Sequence, residues 1–324
     1  MKKLFKKKLL LSGLLASFIF IGGCEVKQDV TSEIIETKPI IIEEPIEEES
    51  NIEKETNIEE TPYVEDNSLE YNTTDIDVIK TNNKTPIKNS NNEIIGYLTP
   101  NHDYMLLDED ETNYLINYYG KIGYVNKNNT YQSTKKIMNT EMIDKGYVRY
   151  ETPIYDNYEL NNEYATLDKL EFIEIYKELD NCYLVQTIDY VGFIPKDNVQ
   201  TLDGNLAVID RSNQELRLYE GNVLTVCTPV VTGTRGTDRQ SDVGLFTVHT
   251  KAENLDIIPN THVDVVTYYN GGEGIHDAYW RKTPDFGGDT YIGNGSHGCI
   301  NTPHDEAVYV YKVLQKGEKV LVKE

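Results

Sequence analysis

The sequence predicts a mainly β protein, and three observations carry this prediction. Between about residues 83 and 203, short runs of alternating apolar and polar residues are broken by Asn, Asp and Gly, which is typical of strands joined by turns. This pattern occurs twice, in two similar copies. From residue 204 to residue 324, further strand-like runs precede one amphipathic helix. We therefore expect two small β-barrels followed by a β-rich domain with one C-terminal helix.

The two copies are recognised by matching segments at equivalent places. The pairs are Thr85-Pro86-Ile87 with Thr152-Pro153-Ile154, Asn113-Tyr114-Leu115-Ile116 with Cys182-Tyr183-Leu184-Val185, and Gly123-Tyr124-Val125 with Gly192-Phe193-Ile194. The trailing Gly-aromatic-aliphatic strand resembles bacterial SH3-like modules, which are small barrels often attached to wall-acting enzymes. We place the copies at residues 83–140 and 141–203. They either bind wall glycan or stem peptide, or serve as spacers and packing partners.

The last segment, residues 204–324, contains the remaining strand candidates and the helix. The strand candidates are 207–210, 215–219, 223–226, 244–249 and 319–322. Glu220-Gly221-Asn222 suggests a hairpin between two of them. The helix is predicted from residue 303 to about residue 316, with Thr302 as N-cap and Asp305 where a capping-box acid would lie.

The N-terminus has the features of an export signal. Five lysines precede an apolar run over residues 9–20, which is shorter than the ~20 residues that span a bilayer. The following Ile21-Gly22-Gly23-Cys24 resembles a bacterial lipobox. That resemblance implies cleavage after residue 23 and lipidation of Cys24, which would hold the protein at the outer face of the membrane. The alternative is an ordinary signal peptide or signal anchor with an incidental cysteine.

The charge of the chain is strongly negative and unevenly distributed. The formal net charge is −23, and residues 32–70 contain 14 Asp and Glu against two lysines. An acidic surface disfavours nucleic acid as a partner, because that affinity depends on basic side chains. Residues 24–82 lack patterned apolar surface, so we predict an acidic, disordered linker there.

Cys299 is the candidate nucleophile. Acyl transfer by cysteine needs a thiolate, a base that generates it, and N–H donors for the oxyanion. Glycines precede Cys299 and let a substrate carbonyl approach the backbone, so the amides of Cys299, Gly298 and His297 are candidate donors. The helix that begins a few residues later adds a modest preference for thiolate.

Two histidines are candidates for the base. His297 lies two residues before Cys299, and alternate residues of an extended segment point the same way. His276 lies further upstream, beside Asp277. A base from another strand meets the geometric demand more easily than a sequence neighbour. The residues alone leave the choice open.

A family resemblance bears on this choice. It is carried by Gly271-Gly272-Glu273-Gly274-Ile275-His276-Asp277-Ala278, Trp280-Arg281, Phe286-Gly287-Gly288 and Ser296-His297-Gly298-Cys299-Ile300-Asn301. Together these segments resemble the YkuD-type L,D-transpeptidase catalytic domain. The resemblance implies that Cys299 is the nucleophile and His276 the proton donor and acceptor, oriented by Asp277 or its carbonyl. It also implies that Ser296, His297 and Gly298 shape the oxyanion region, and that Asn301 supports the turn.

The sequence departs from the family pattern at two places. The gap from His276 to Ser296 is slightly longer than is common in the family, and Ser241-Asp242-Val243-Gly244 replaces a Thr-Pro-Thr-Gly segment. Neither place includes the nucleophile or the base.

The implied activity is peptidoglycan cross-linking outside the cell. Cys299 would attack a donor tetrapeptide stem and release D-Ala, and an acceptor amine would resolve the thioester into a 3→3 cross-link. The same chemistry with water or a protein amine would give an L,D-carboxypeptidase or an anchoring transferase. An alternative of another class is a non-catalytic wall-binding lipoprotein.

No cofactor is expected for this chemistry. A zinc site built from His276, His297, Cys299 and His304 is disfavoured, because their spacing is not that of usual zinc ligands. Whether Cys182 and Cys227 form a disulfide stays open at this level.

Overall fold

The computed structural model describes residues 72–100, 102–258 and 261–324. The predicted signal peptide, Cys24 and most of the predicted linker lie outside these residues. Within them the chain is mainly β with two α-helices, which confirms the predicted fold class. No helix in this part of the chain is long and apolar enough to cross a membrane.

The first sheet has seven strands. These are β1 (Thr73–Thr81), β2 (Thr85–Lys88), β3 (Ile94–Leu98), β4 (Tyr104–Glu109), β5 (Asn113–Tyr118), β6 (Lys121–Asn126) and β7 (Thr130–Met138), in the order β3-β2-β6-β5-β4-β1-β7. β1 lies inside the predicted linker, so the first sheet begins about ten residues earlier than predicted. Val78 and Ile79 of β1 are buried, and the strand pairs along its whole length with β7.

The second sheet repeats this arrangement. Its strands are β8 (Asp144–Val148), β9 (Thr152–Tyr155), β10 (Glu163–Leu167), β11 (Phe172–Glu178), β12 (Cys182–Gln186), β13 (Val191–Pro195) and β14 (Val199–Thr201). Their order, β10-β9-β13-β12-β11-β8-β14, is the order of the first sheet strand for strand. In both copies a 3₁₀ turn precedes the last strand, at Lys127–Asn129 and Lys196–Asn198. The sequence repeat therefore corresponds to a repeat in topology.

Equivalent glycines show why the two copies share a sequence signature. A Cβ at Gly123 would lie 2.5 Å from Cγ2 of Ile87, and a Cβ at Gly192 would lie 2.9 Å from Cγ1 of Ile154. Ile87 and Ile154 occupy the same place on β2 and β9, and both are fully buried. Glycine is therefore required where β6 and β13 pass over this core isoleucine.

The C-terminal domain contains two further sheets. Its strands are β15 (Leu206–Asp210), β16 (Glu215–Glu220), β17 (Val223–Pro229), β18 (Gly244–Thr247), β19 (Thr250–Ile258), β20 (Thr261–Asn270), β21 (Glu273–Asp277), β22 (Ile300–Thr302) and β23 (Lys319–Lys323). One sheet has the order β17-β16-β15-β23-β18, and the other has the order β19-β20-β21-β22. The five predicted strands are all present, whereas β19, β20, β21 and β22 were not predicted.

One helix packs against the core of this domain. Helix α2 (His304–Val313) buries Ala307 and Val310, and Val310 belongs to an apolar cluster that draws on both sheets. The helix begins one residue later and ends three residues earlier than predicted, with Pro303 at the N-cap position and no side-chain cap. The Thr302 hydroxyl donates to the Ile300 carbonyl instead of capping the helix.

Buried charges join the second repeat to the C-terminal domain. Arg217 Nε donates to Glu215 Oε1 at 2.6 Å, while the Tyr219 hydroxyl donates across the boundary to Glu174 Oε1 at 3.0 Å. Lys323 Nζ lies 2.9 Å from both Asp210 and Glu171, the latter on the second repeat. Because a buried charge is costly unless it is paired, these contacts fix the two parts in one arrangement.

Breaking this network should destabilise the protein. Arg217→Met leaves the buried Glu215 carboxylate without its closest cation, so we expect a loss of about 3–5 kcal/mol in the free energy of unfolding. Urea denaturation monitored by fluorescence measures this free energy of unfolding. The exposed Arg149→Met serves as the matched control. The double variant Arg217→Met/Glu215→Gln should lose less than Arg217→Met alone; an equal or larger loss would contradict the explanation by an unpaired charge.

Candidate active site

A short parallel strand pair brings the two predicted catalytic residues together. β22 runs beside β21, with Ile275 opposite Ile300 and His276 opposite Asn301. Cys299 is the residue immediately before β22. The strand pair therefore places the candidate nucleophile and the candidate base on neighbouring segments, although 22 residues separate them in the sequence.

His276 is held in one orientation from its own strand. Its side chain is almost fully buried, and Nδ1 donates to the Asp277 carbonyl at 2.7 Å. A carbonyl only accepts, so Nδ1 carries the proton and Nε2 is left as the basic nitrogen. Burial lowers the pKa of His276, the Asp277 carbonyl and carboxylate oppose this shift, and the charge of Arg281 adds to it.

Asp277 contacts His276 through its backbone and not through its carboxylate. Oδ1 of Asp277 accepts from the amides of Asp264 at 2.9 Å and Val265 at 3.0 Å. The carboxylate thus fixes the neighbouring strand β20. Of the two predicted ways in which Asp277 could orient His276, the geometry favours the carbonyl.

The thiol of Cys299 lies against the turn between β20 and β21. Sγ is 3.6 Å from the Gly272 carbonyl and also accepts from the Gly274 amide. Burial raises the pKa of Cys299, the Gly274 amide opposes this, and the nearby Glu273 carboxylate raises it further. The modest thiolate preference expected from helix α2 is therefore outweighed, and the resting site holds a thiol beside a neutral imidazole.

The side chain of Ser296 stabilises the segment before Cys299. Ser296 Oγ donates to the Cys299 carbonyl at 2.5 Å and accepts from the Gly298 amide at 3.1 Å. The Gly298 amide is thus engaged inside the loop, so the amides of Cys299 and His297 are the better oxyanion candidates. Gly298 has φ +112° and lies against Glu273, which only glycine accommodates easily. The His297 side chain is exposed.

Ser241 was singled out by sequence only as part of a departure from the family pattern. Its buried hydroxyl donates to the Gly298 carbonyl at 2.7 Å and accepts from the Gly233 amide at 2.8 Å. The next residue, Asp242, donates its amide to Glu273 at 3.1 Å. This segment therefore supports both the nucleophile loop and the turn that contacts the thiol. A buried hydroxyl cannot be recognised from sequence alone.

The longer gap between His276 and Ser296 forms a loop beside the site. It contains a 3₁₀ turn (Thr283–Asp285) and helix α1 (Tyr291–Asn294). The Trp280 ring lies 6.0 Å from the His276 ring, and both Tyr279 and Trp280 are exposed. The first repeat touches this loop, since Lys84 Nζ lies 2.5 Å from Asp289 Oδ1.

Two tyrosines on β20 lie near the thiol: burial raises the pKa of both Tyr268 and Tyr269, and the nearby Cys299 adds to this shift. Tyr269 is buried, while its neighbour Tyr268 is half-buried. His304 contacts Asp264 at 3.0 Å on the surface. In residues 72–100, 102–258 and 261–324, no group of three or more His, Cys, Asp or Glu is arranged to hold a metal ion. Cys182 is a buried free thiol, so it does not pair with Cys227.

Comparison with known proteins agrees with this site. Residues 204–322 match the family model YkuD, described as the L,D-transpeptidase catalytic domain. This segment thus matches an L,D-transpeptidase catalytic domain. It includes the candidate base and nucleophile as well as the strands that carry them. No curated protein sequence matches the chain.

The solved structures that match this chain include several L,D-transpeptidases. A mutant of the Enterococcus faecium L,D-transpeptidase is 22% identical over 55% of this chain and 76% of its own, with a TM-score of 0.36. The catalytic domain of the E. faecium enzyme is 29% identical over 38% of this chain and 98% of its own, with a TM-score of 0.33. L,D-transpeptidase 3 from Mycobacterium tuberculosis is 17% identical over 43% of this chain and 76% of its own, also with a TM-score of 0.33.

The shifted pKa values predict the pH dependence of the site. His276 must be neutral to accept a proton, and its lowered pKa keeps it neutral at a more acidic pH than an ordinary histidine. Burial raises the pKa of Cys299, so iodoacetamide should alkylate it slowly at pH 7 and should need a more alkaline pH than an ordinary cysteine does. Mass spectrometry of the Cys299 peptide across pH measures this. Rapid alkylation at pH 6 would instead indicate a resting thiolate–imidazolium pair.

Removing the Ser241 hydroxyl should loosen the nucleophile loop. Ser241→Ala leaves the Gly298 carbonyl and the Gly233 amide without this partner, a loss of about 1–3 kcal/mol for buried groups. We expect acylation of Cys299 by a carbapenem to slow by roughly tenfold, measured by intact-mass kinetics. The exposed Ser212→Ala is the control. Unchanged acylation in Ser241→Ala would show that the loop does not depend on this hydroxyl.

Proposed function

We propose that this protein is a peptidoglycan L,D-transpeptidase that uses Cys299 as nucleophile and His276 as general base and acid. The observation that supports it most is the parallel pairing of β21 with β22, which brings His276 beside the segment that begins at Cys299. The match of residues 204–322 to the L,D-transpeptidase catalytic domain supports the reaction type.

The first half-reaction forms a thioester on Cys299. Nε2 of His276 takes the thiol proton while Sγ attacks the carbonyl of the third residue in a donor tetrapeptide stem. The oxyanion is met by backbone amides of the nucleophile loop, with the Cys299 and His297 amides as the candidates. The C–N bond to the terminal D-Ala then breaks, and the His276 imidazolium protonates the leaving amine.

The second half-reaction transfers the acyl group. An amine on a neighbouring stem attacks the thioester, His276 accepts its proton, and the Cys299 thiolate leaves and regains a proton. The product is a 3→3 cross-link. The neutral resting pair suits this cycle, because an imidazolium with a lowered pKa readily gives up its proton to a leaving amine.

The proposed setting is the cell wall. We propose that Cys24 carries a lipid at the outer face of the membrane, and that the acidic residues before β1 act as a spacer. The two repeats, which we propose to be SH3-like modules, lie between this spacer and the catalytic domain.

Product analysis tests the proposed function. Purified full-length protein is incubated with disaccharide-tetrapeptides, alongside Cys299→Ala and His276→Gln, and the products are separated by mass spectrometry. Dimers that have lost one D-Ala, absent in Cys299→Ala and at least a hundredfold slower in His276→Gln, are the expected result. Tripeptides alone would identify a carboxypeptidase. Absence of any product that depends on Cys299 would contradict the enzymatic assignment.

A carbapenem provides an independent test of the nucleophile. Because the β-lactam carbonyl acylates an activated nucleophile, we expect one covalent adduct on the peptide that contains Cys299. Cys182 is buried and its thiol pKa is raised by burial, so it should stay unmodified. An adduct that persists in Cys299→Ala would contradict the assignment of Cys299.

A further inference from the structure

Arg281 is linked to the candidate base, His276, through hydrogen bonds to the side chain of Asn301. The Asn301 side chain lies between Arg281 and His276 and is buried. We assign the amide orientation from these partners: with its oxygen toward the guanidinium, Oδ1 accepts from Arg281 Nε at 2.8 Å and Nη2 at 3.1 Å, and Nδ2 donates to His276 Nε2 at 3.3 Å. Arg281 Nη2 also donates to the Asn294 carbonyl at 2.9 Å, at the end of helix α1.

The donors and acceptors in this chain allow only one arrangement. A guanidinium only donates, so the Asn301 oxygen must face Arg281 and the NH₂ group must face His276. Nε2 of His276, which faces this NH₂ group, must then accept the hydrogen bond. It therefore carries a lone pair and no proton. Nδ1 already donates to the Asp277 carbonyl. Both hydrogen bonds of the imidazole thus match its neutral form with the proton on Nδ1.

We propose that Arg281 is a positioning residue for the general base: by holding the Asn301 oxygen, it aims the Asn301 amide at Nε2 of His276 and keeps the resting imidazole neutral. The inference rests on the proposed role of His276 as the base. Protonation of Nε2 would set its N–H against the NH₂ group of Asn301. Two donors cannot share a hydrogen bond, so the imidazolium is disfavoured while Arg281 holds Asn301 in place.

The surrounding charges are consistent with this role. Asp277, on the same strand as His276, favours the imidazolium through its carbonyl and its charge, while Arg281, on the loop that follows, disfavours it. The strand β20 presents the apolar Val266 opposite His276. On the β22 side lie Asn301 and the Cys299 thiol. Arg281 is therefore the cation that opposes Asp277 at this imidazole.

The arrangement has a consequence for the proton path. The thiol proton moves from Sγ to Nε2 as the S–C bond forms, and at that step Nε2 gives up its hydrogen bond from Asn301. The proton then passes to the nitrogen of the departing D-Ala, and Nε2 regains its lone pair and its bond to Asn301. Arg281 thus disfavours early proton transfer in the empty site and favours release of the proton to the leaving amine.

Substitution of Arg281 tests the proposal in the free protein. Full-length protein labelled with ¹⁵N-histidine is titrated by NMR, and His276→Gln identifies the His276 signals. Arg281→Met releases the Asn301 amide to turn its oxygen toward Nε2, so the pKa of His276 should rise. Arg281→Lys retains a charged donor and should stay close to wild type. Arg149→Met, an exposed arginine on the second repeat, is the matched control.

Thiol reactivity gives a second readout. With more imidazolium present, Cys299 should be alkylated by iodoacetamide at pH 7 about five- to tenfold faster in Arg281→Met than in wild type, without substrate. Asn301→Asp, which places an acceptor at Nε2 in every orientation, should raise both the pKa of His276 and the alkylation rate.

The outcomes separate positioning from a structural role. If Arg281 only anchors helix α1 through the Asn294 carbonyl, Arg281→Met lowers the thermal midpoint but leaves the pKa of His276 and the alkylation rate unchanged, and this result would overturn the proposal. An equal rise of the His276 pKa in Arg281→Lys and Arg281→Met would also overturn it. Since both measurements use the free protein, they hold or fail independently of which product the enzyme makes.

Discussion

The site depends on a parallel pairing of only three residues on each strand. β21 carries His276 and β22 begins immediately after Cys299, and their pairing sets Ile275, His276 and Asp277 opposite Ile300, Asn301 and Thr302. Ile275 and Ile300 are both buried in the main apolar cluster of the domain. The hydrophobic core thereby fixes the strand register, and the register fixes the distance between the proposed base and the proposed nucleophile.

Electrostatics then determine the state in which this pair rests. Burial acts on both groups in the same direction, toward the uncharged forms, because each charged form loses hydration. Glu273 beside the thiol and Arg281 beside the imidazole have charges that strengthen this preference. An ion pair between thiolate and imidazolium is thus not stored in the free site. In the proposed cycle the thiol proton moves to His276 only as Sγ attacks a bound electrophile, which restricts the reactivity of the thiol toward other compounds.

Sequence reasoning succeeded where a local pattern determines the structure and was incomplete where distant segments meet. Alternation predicted the C-terminal strands, and matched triplets such as Thr85-Pro86-Ile87 located the repeat. Strand β1 was missed because its acidic context, with Asp75 and Asp77, resembles the linker. The family resemblance pointed to His276, but the contact of Asn301 with Arg281 arises only when β21 and β22 pair. The orientation of the Asn301 side-chain amide follows from these contacts and cannot be inferred from the spacing of residues in the sequence.

The repeats are attached to the catalytic domain as a fixed support. Phe172 and Leu202 of the second repeat share an apolar cluster with Leu206 and Tyr219 of the catalytic domain, and charged groups at the same boundary are paired. The first repeat reaches the loop beside the active site through Lys84 and Asp289. That exposed ion pair contributes little free energy by itself. The buried boundary determines where the repeats lie, and the loop that contains helix α1 consequently has a neighbour on its outer side.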